Sequence, residues 1–531
     1  MPQSDFDYVI VGAGSAGCVL ASRLTEDPAV RVLLLEAGGS DKDLRVRAPG
    51  LVGLLWRGRF DWTFFTEPQK HLEGRRMHWP RGKALGGTSS INYMIYMRGH
   101  RDNYDSWRDA GNPGWGYDDV LPYFKKSENN TRGADAFHGD CGPVTVSDVV
   151  GNPLSEMMVE AACEATGAAR NDDFNGPTHE GFGRHQATIR KGVRCSAGLA
   201  YLRPAMTRAN LTVESGVLAT SLVIEGARAT GVRYRRGGAE QTARASREVL
   251  LSAGAIGSPH LLLLSGVGPA AELKALNVPV VHDLPGVGKN LQDHLLGPMA
   301  WRDRSGITGN VSPLPLIGWL ARWGYDKTGP LASNVCESGG FIRTKTSEPR
   351  PNLQFHMLPV GSNQESFDKK AFEPKGHAFS ILPTLIYPES RGEIRLRSAD
   401  PAAAPAIDPR YFESERDLDL LVEGAAIARQ IADTGPLKKA RGEPLGIVTN
   451  AKTDAEVRSA MRRGTNTIFH PVGTCAMGNG ESAVVDAQLR VRGLQGLRVI
   501  DASVMPTIVG GNTNAPTIMI AEKAVDLLKQ A

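Results

Sequence analysis

No stretch of this sequence reaches the ~18 uninterrupted apolar residues that a membrane-spanning helix needs. The most apolar segment, Val249–Val267, is broken by Ser252, Gly254, Gly257, Ser258, Pro259 and His260. Cysteine is sparse. Cys18, Cys141, Cys163, Cys195, Cys336 and Cys475 form no Cys-x-x-Cys pair, so a disulfide framework is not expected. No His, Cys and carboxylate cluster has ligand spacing, and no metal is expected. An excess of one charge is missing too. Lys and Arg number 61 against 57 Asp and Glu, a net +4 that excludes the strongly basic footprint of a nucleic-acid-binding protein. The opening MPQSDFDYVIVGAG lacks the basic region and cleavage site of an export signal. Free thiols in the cytoplasm are therefore expected. A peripheral contact with the inner membrane stays open, because an exposed apolar patch is not readable from one sequence.

What is present is globular. The composition is 41% hydrophobic and 22% charged, which excludes disordered and fibrous classes. A length of 531 residues exceeds what one core of ~250–300 residues supports, so two domains or more are expected. The 60 glycines and 33 prolines follow no repeat, which predicts turns and close backbone approaches.

Tyr8–Val11 reads as a buried strand, Gly12–Gly17 as a tight turn, Ser15–Glu26 as a helix and Val30–Leu35 as a second strand ending at Glu36. This is a βαβ opening. The runs LTVES, ATSLVIEG, TGVRYRR and REVLLSAG within Leu211–Val249 read as a meander, and Leu353–Ile386 as a further strand set. Arg416–Ala432 reads as an amphipathic helix, Leu497–Ser503 as a strand, and about Pro516 to Lys529 as a last helix.

Four segments carry chemistry. Gly12-Ala13-Gly14-Ser15-Ala16-Gly17 stands between strand and helix, with Glu36 nineteen residues after Gly17. Gly12 permits the turn, Gly14 lets the backbone approach a pyrophosphate, and Gly17 lets the helix pack on the strand. Glu36 is placed to accept hydrogen bonds from a ribose. This spacing predicts a dinucleotide but does not separate FAD from NAD. Arg81–Ser90, with Asn92 following, offers paired glycines and small hydroxyls that suit either a backbone bed for a cofactor or a structural loop. His470 is held extended by Pro471, which suits a proton acceptor or a buried core histidine. Asp501 closes a strand, and Gly510–Thr517 then opens a helix whose positive end suits an electron-rich ring. Asn514 there reads as a site residue or an ordinary cap.

Together these segments, with GAIGSPHLLLLSGVG at Gly254–Gly268, resemble the GMC (glucose–methanol–choline) flavoprotein oxidoreductases from about Phe6 to Leu527. The resemblance implies FAD. It implies an α/β fold: a Rossmann-like FAD-binding domain from 1–155, 192–296 and 479–531. A substrate domain from 156–191 and 297–478 would have a mostly antiparallel sheet and flanking helices. It assigns catalysis to His470 and Asn514. Cofactor contacts fall to Gly12, Gly14, Ser15, Ala16, Gly17, Glu36, Ala37, Arg81, Gly87, Thr88, Asn92, Val217, Asp501, Ala502, Asn512 and Thr513.

Two departures refine this. Choline oxidases of the family carry a flavin-linked His before the signature Asn; here Ile91 stands there, so FAD is expected to be non-covalent. Choline-specific members also carry a Glu soon after the Gln-Asp-His motif; here Leu296 matches, which gives a cation no partner. The expected activity is an FAD-dependent dehydrogenation of a neutral alcohol, polyol or sugar such as a sorbose-type one. Alternatives are a choline dehydrogenase, a flavin-containing hydroxynitrile lyase, or an NAD-linked enzyme. The electron acceptor is open between oxygen, quinone and cytochrome.

Overall fold

The structure is a computed structural model that describes residues 6–149, 151–308, 313–345, 348–361 and 376–530. Two sheets organise it. In the first, strand Phe6–Val11 lies between Val32–Glu36 and Ala239–Leu251, parallel to both, with Val9 opposite Leu33 and Val249. Leu211–Ser215 extends one side and Leu497–Val499 pairs parallel with Ala239–Leu251. These strands are continuous apolar runs because helices cover both of their faces. The helix Ser15–Leu24 packs against the C-terminal helix Asn514–Lys529.

Ala239–Leu251 serves two structures. Its last residues are buried in the parallel sheet, and its exposed first half pairs antiparallel with Arg228–Arg236, which pairs with Val217–Glu225. The meander expected at Leu211–Val249 is thus present, but its first strand joins the parallel sheet.

The second sheet is antiparallel throughout. Its main order is Arg441–Leu445, Ala300–Asp303, Ala378–Leu385, Leu353–Leu358, Ser338–Ile342 and Gly181–Arg184. Leu295–Leu296 pairs with both Ala378–Leu385 and Asn466–Thr467. Leu295 and Leu296 were expected in the FAD-binding portion; their backbones belong to this sheet. Side chains on Leu353–Leu358 alternate with period two. Leu353, Phe355 and Met357 enter a core shared with the helices Pro153–Thr166 and Glu415–Ala432. His356 and Leu358 face a cavity between the two sheets. Residues 362–375 of the strand set expected at Leu353–Ile386 lie outside the described residues.

Candidate active site

The cavity measures about 550 Å³ and is walled by the glycine turn, the Arg81–Ile95 segment and the roofing sheet. Three helices present their first residues to it: Ser15–Leu24, Gly254–Leu264 and Asn514–Lys529. None of the three is capped by its own N-cap side chain, but the Asp501 carboxylate takes the Gly254 N–H, so the starts of Ser15–Leu24 and Asn514–Lys529 are the ones available to an anion.

Backbone proximity explains the glycines. Gly12 takes φ +99°, and a Cβ there would lie 2.6 Å from the Ser252 carbonyl oxygen. Gly87 comes so close to Gly14 that a Cβ on it would meet the Gly14 Cα at 2.6 Å. A Cβ on Gly14 itself meets only the Ser252 carbonyl oxygen, at 3.7 Å, so its remaining side is open to the cavity.

Of the residues expected to hold the cofactor, Gly17 alone does not line the cavity. A Cβ there would sit 1.8 Å from the Gly12 carbonyl oxygen, so its role is to let helix and turn pack. The Glu36 carboxylate accepts from Ala13 N–H at 2.8 Å and Gly38 N–H at 2.7 Å, and burial pushes its pKa up to about 7. Each oxygen keeps a second lone pair for a ribose hydroxyl. Asp501 accepts from Gly254 N–H (2.8 Å), Ser258 Oγ (2.6 Å) and Ser503 N–H (2.8 Å), which ties the helix Gly254–Leu264 to the end of strand Leu497–Val499. Thr88 Oγ1 accepts from Gly82 N–H at 3.1 Å, and Asn92 Oδ1 accepts from Arg194 at 2.9 Å. Ala37, Val217, Ala502 and Thr513 contribute wall surface.

At the opposite end stands His470. Its backbone N–H donates to Asp293 Oδ1 at 2.7 Å, and Asp293 Oδ2 accepts from Tyr411 and Thr467 hydroxyls. Burial raises Asp293 to about 6 against these bonds. Arg81 donates to the carbonyl of Phe469 at 2.5 Å, so this expected cofactor ligand also fixes the histidine loop. Burial lowers Arg81 to about 10.

The imidazole contacts define a proton arrangement. His294 Nε2 lies 3.0 Å from the Ile386 carbonyl, which only accepts, so Nε2 carries the hydrogen. Burial holds His294 down at about 3, hence neutral, and its Nδ1 is an acceptor. His470 Nδ1, 3.0 Å away, must then donate to it. His470 is itself held well below the usual histidine range by burial, and its Nε2 carries a lone pair and no hydrogen. Asn512 Nδ2 points at that lone pair from 3.2 Å.

This corrects one assignment. The amide beside His470 belongs to Asn512, which was expected on the cofactor; Asn514, expected in catalysis, is elsewhere. Asn514 Oδ1 accepts from Ser15 Oγ at 2.7 Å and pins together the starts of two helices. Thr513 lies between them as the N-cap of the C-terminal helix, so the chain changes direction there and the two amides part.

Other residues of the site went unassigned in the sequence. His294 sits in Gln292-Asp293-His294, a run used only to locate Leu296. His356 faces the cavity from the roofing sheet, its Nδ1 3.0 Å from Thr384 Oγ1. Ser252, Ala253 and Gly257 belong to a segment that was matched as a whole and not residue by residue.

The chemistry of these groups fits FAD. Two polar atoms on the wall, Asn512 Oδ1 and Ser252 Oγ, are buried and unpartnered among the protein atoms, which marks places for ligand polar groups. The two uncapped helix starts, Ser15–Leu24 and Asn514–Lys529, suit the pyrophosphate and the electron-rich ring, and the glycine bed leaves room for a flat tricycle.

The chain matches the model of the GMC oxidoreductase N-terminal region over residues 6–296 and that of the C-terminal region over 388–521. It is 44% identical to an alcohol dehydrogenase [acceptor] of Pseudomonas putida, over 98% of this chain and 95% of that one. It is 45% identical to an oxygen-dependent choline dehydrogenase of Burkholderia multivorans, over 100% and 94%. Among solved structures it superposes on pyridoxine 4-oxidase from Mesorbium loti with TM-score 0.90 and 32% identity, covering 99% of this chain and 100% of that one. A formate oxidase gives TM-score 0.91 and 27% identity, with 99% and 98% covered. With both family regions in order around this cavity, the chain belongs to the GMC oxidoreductases, and its cofactor is FAD.

Proposed function

We propose that the protein is a dehydrogenase that oxidises the CH–OH group of a neutral, mainly apolar alcohol, with His470 as proton acceptor and non-covalently bound FAD. The observation that carries this is the unprotonated His470 Nε2, fixed by His294 and met by the Asn512 amide.

When bound, FAD supplies the acceptor for a hydride from the carbinol carbon. The chain handles the proton. Nε2 of a neutral imidazole accepts the hydroxyl hydrogen. The Asn512 N–H, now on Nε2, turns to the alcohol oxygen as charge develops there. The His470 Nδ1–H bond to His294 holds the ring in place and stabilises it once protonated. Ile91, buried beside Val46 and Phe60, offers no nucleophile for a covalent flavin link.

The wall near His470 limits the substrate. Leu296, Cys336, Leu358, Leu382, Tyr93 and Ile468 form one apolar cluster there. A sugar would leave most of its hydroxyls against these side chains at a desolvation cost. Among the described residues the carboxylates on the wall are Glu36 and Asp501, and both accept from backbone N–H groups. One observation favours choline as a second reading. Trp56 meets Tyr93 and Phe469 edge-on at 5.8 and 5.3 Å, an aromatic group of the kind that receives a quaternary ammonium. The Burkholderia relative's name points the same way, whereas the Pseudomonas putida relative's name supports the first reading.

Two measurements test this. Neohexyl alcohol is the neutral carbon isostere of choline. With a dye acceptor, its kcat/KM is expected to exceed that of choline by about tenfold or more, since burying a cation without a counter-charge costs over ~1.4 kcal/mol. The opposite order establishes choline instead. Anaerobic mixing with the better alcohol bleaches the flavin; persistent yellow colour would identify a lyase.

The corrected pair supplies a further expectation. Asn512→Ala lowers the rate of flavin reduction by about 10²-fold. Asn514→Ala leaves that rate within about twofold and lowers the melting temperature instead, because it removes one inter-helix hydrogen bond of about 1 kcal/mol. Stopped-flow reduction and thermal melts of both variants separate the roles, and the reverse ranking would restore Asn514 to catalysis.

A further inference from the structure

Helix Pro313–Asp326 is amphipathic in an unusual sense, because its outer face is also apolar. Trp323 is buried, and Leu316, Trp319 and Leu320 pack with it against Ala48, Leu51, Leu331 and Ala332. On the other side Ile317, Ala321 and Tyr325 follow at four-residue steps, one line along the helix. Ile317 is 65% and Tyr325 92% exposed. The neighbouring segment adds Leu44 at 50% and Leu54 at 58%. Of the seven large hydrophobic side chains exposed among the described residues, four therefore belong to this helix or to the Leu44–Leu54 segment, whose Ala48 and Leu51 pack against the helix.

The turn Lys191–Arg194 joins the parts. The Gly192 carbonyl accepts from Trp323 Nε1 at 2.8 Å, and the Val46 carbonyl accepts from Arg194 Nε at 2.9 Å. Charge around the apolar side chains leans basic, although exposed Asp326 keeps its negative charge. Lys42, Arg47, Lys191 and Arg322 are exposed, and the first three have no carboxylate partner among the described residues. Of the nearby acids, Asp43 is taken by Arg45 and Arg59, and Asp326 accepts from Thr328.

We propose that this face, built from helix Pro313–Asp326 and the Leu44–Leu54 segment, docks on an anionic phospholipid surface. Exposed Ile, Leu and Tyr side chains enter the headgroup boundary while the Lys and Arg rim meets lipid phosphates. The lipid choice rests on composition: apolar and amphipathic aromatic side chains with a basic rim match a bilayer interface. The face also adjoins the cavity. Trp56, two residues after Leu54, lines it and touches Phe469, the neighbour of His470. Docking would bring the cavity mouth to the membrane, where apolar alcohols concentrate. The docking itself does not depend on the substrate reading.

The test is flotation of the FAD-loaded protein with phosphatidylcholine vesicles with and without phosphatidylglycerol. Recovery with the anionic vesicles is expected, weakened at about 0.5 M salt. The double variant Ile317→Glu, Tyr325→Glu should lower vesicle affinity at least about tenfold, because it removes two inserted side chains and adds two repelled charges. Its flavin content and its rate of flavin reduction by a water-soluble alcohol should stay unchanged, which keeps this outcome separate from the substrate assignment. Absence of anionic-vesicle binding, or equal binding by the double variant, overturns the proposal. So does a dimer in solution that Ile317→Glu dissociates without any vesicle binding, since a second copy would then cover the face.

Discussion

Replacing His470 with alanine is expected to slow flavin reduction by about 10²–10⁴-fold while FAD stays bound. The range is that of a positioned general base. It applies here because His470 is the imidazole whose Nε2 meets the Asn512 amide. His294 lies one bond further back with Nε2–H committed to a carbonyl, and its basicity is suppressed to about 3. His356 also faces the cavity, from a strand of the roof, with Nδ1 paired to Thr384, and among the described residues no hydrogen bond joins it to Asn512 or His470. FAD should be retained because the histidine bonds only to His294, Asp293 and Asn512, and the glycine bed lies at the other end of the cavity. The pH dependence has a definite sign. Burial lowers the His470 pKa, so the base form is already present at neutral pH and wild-type reduction should be level through the neutral range. Its loss belongs on the acid side. An alanine variant that reduces flavin at the wild-type rate would remove His470 from the reaction.

Gly14→Val is expected to yield a folded, colourless protein. Gly14 has φ −75° and ψ −165°, an extended conformation that valine adopts readily, so the backbone is not strained. No described atom closer than 3.7 Å opposes the new Cβ. The branched side chain instead fills the space before the N-terminus of Ser15–Leu24, where a pyrophosphate binds. Gly17→Ala is the contrasting change. Its methyl would collide with the Gly12 carbonyl, so it should damage folding as well as flavin content. Flavin absorbance and circular dichroism on both variants distinguish these effects. Full flavin occupancy in Gly14→Val would place the pyrophosphate elsewhere.

Local signals carried the βαβ opening and the glycine bed, because each is written in consecutive residues. The helix expected at Ser15–Glu26 ends at Leu24, and the one expected from Arg416 starts at Glu415. The helix expected from about Pro516 begins two residues earlier, at Asn514. The roofing sheet was far less legible. Gly181–Arg184 and Ser338–Ile342 are short and glycine-rich, and they pair across a long stretch of intervening chain. Their pattern has too little alternation to announce a strand.

The division of labour between Asn512 and Asn514 was hidden for a different reason. Both stand in one Gly/Asn turn, and nothing in residue type tells which amide meets an imidazole. That depends on the direction the chain takes at Thr513. The same holds for His294. Its importance comes from two hydrogen bonds to residues 92 and 176 positions away.

The parallel sheet receives Leu497–Val499 and the cradle its third helix, Asn514–Lys529, from the far end of the polypeptide. During translation the glycine turn therefore emerges early but waits for its partners. A nascent chain still inside the ribosome tunnel at these residues has no closed pocket to load. Flavin insertion has to wait for Asn514–Lys529, and a stop before Asn514 would remove both the third helix start and its bond to Ser15.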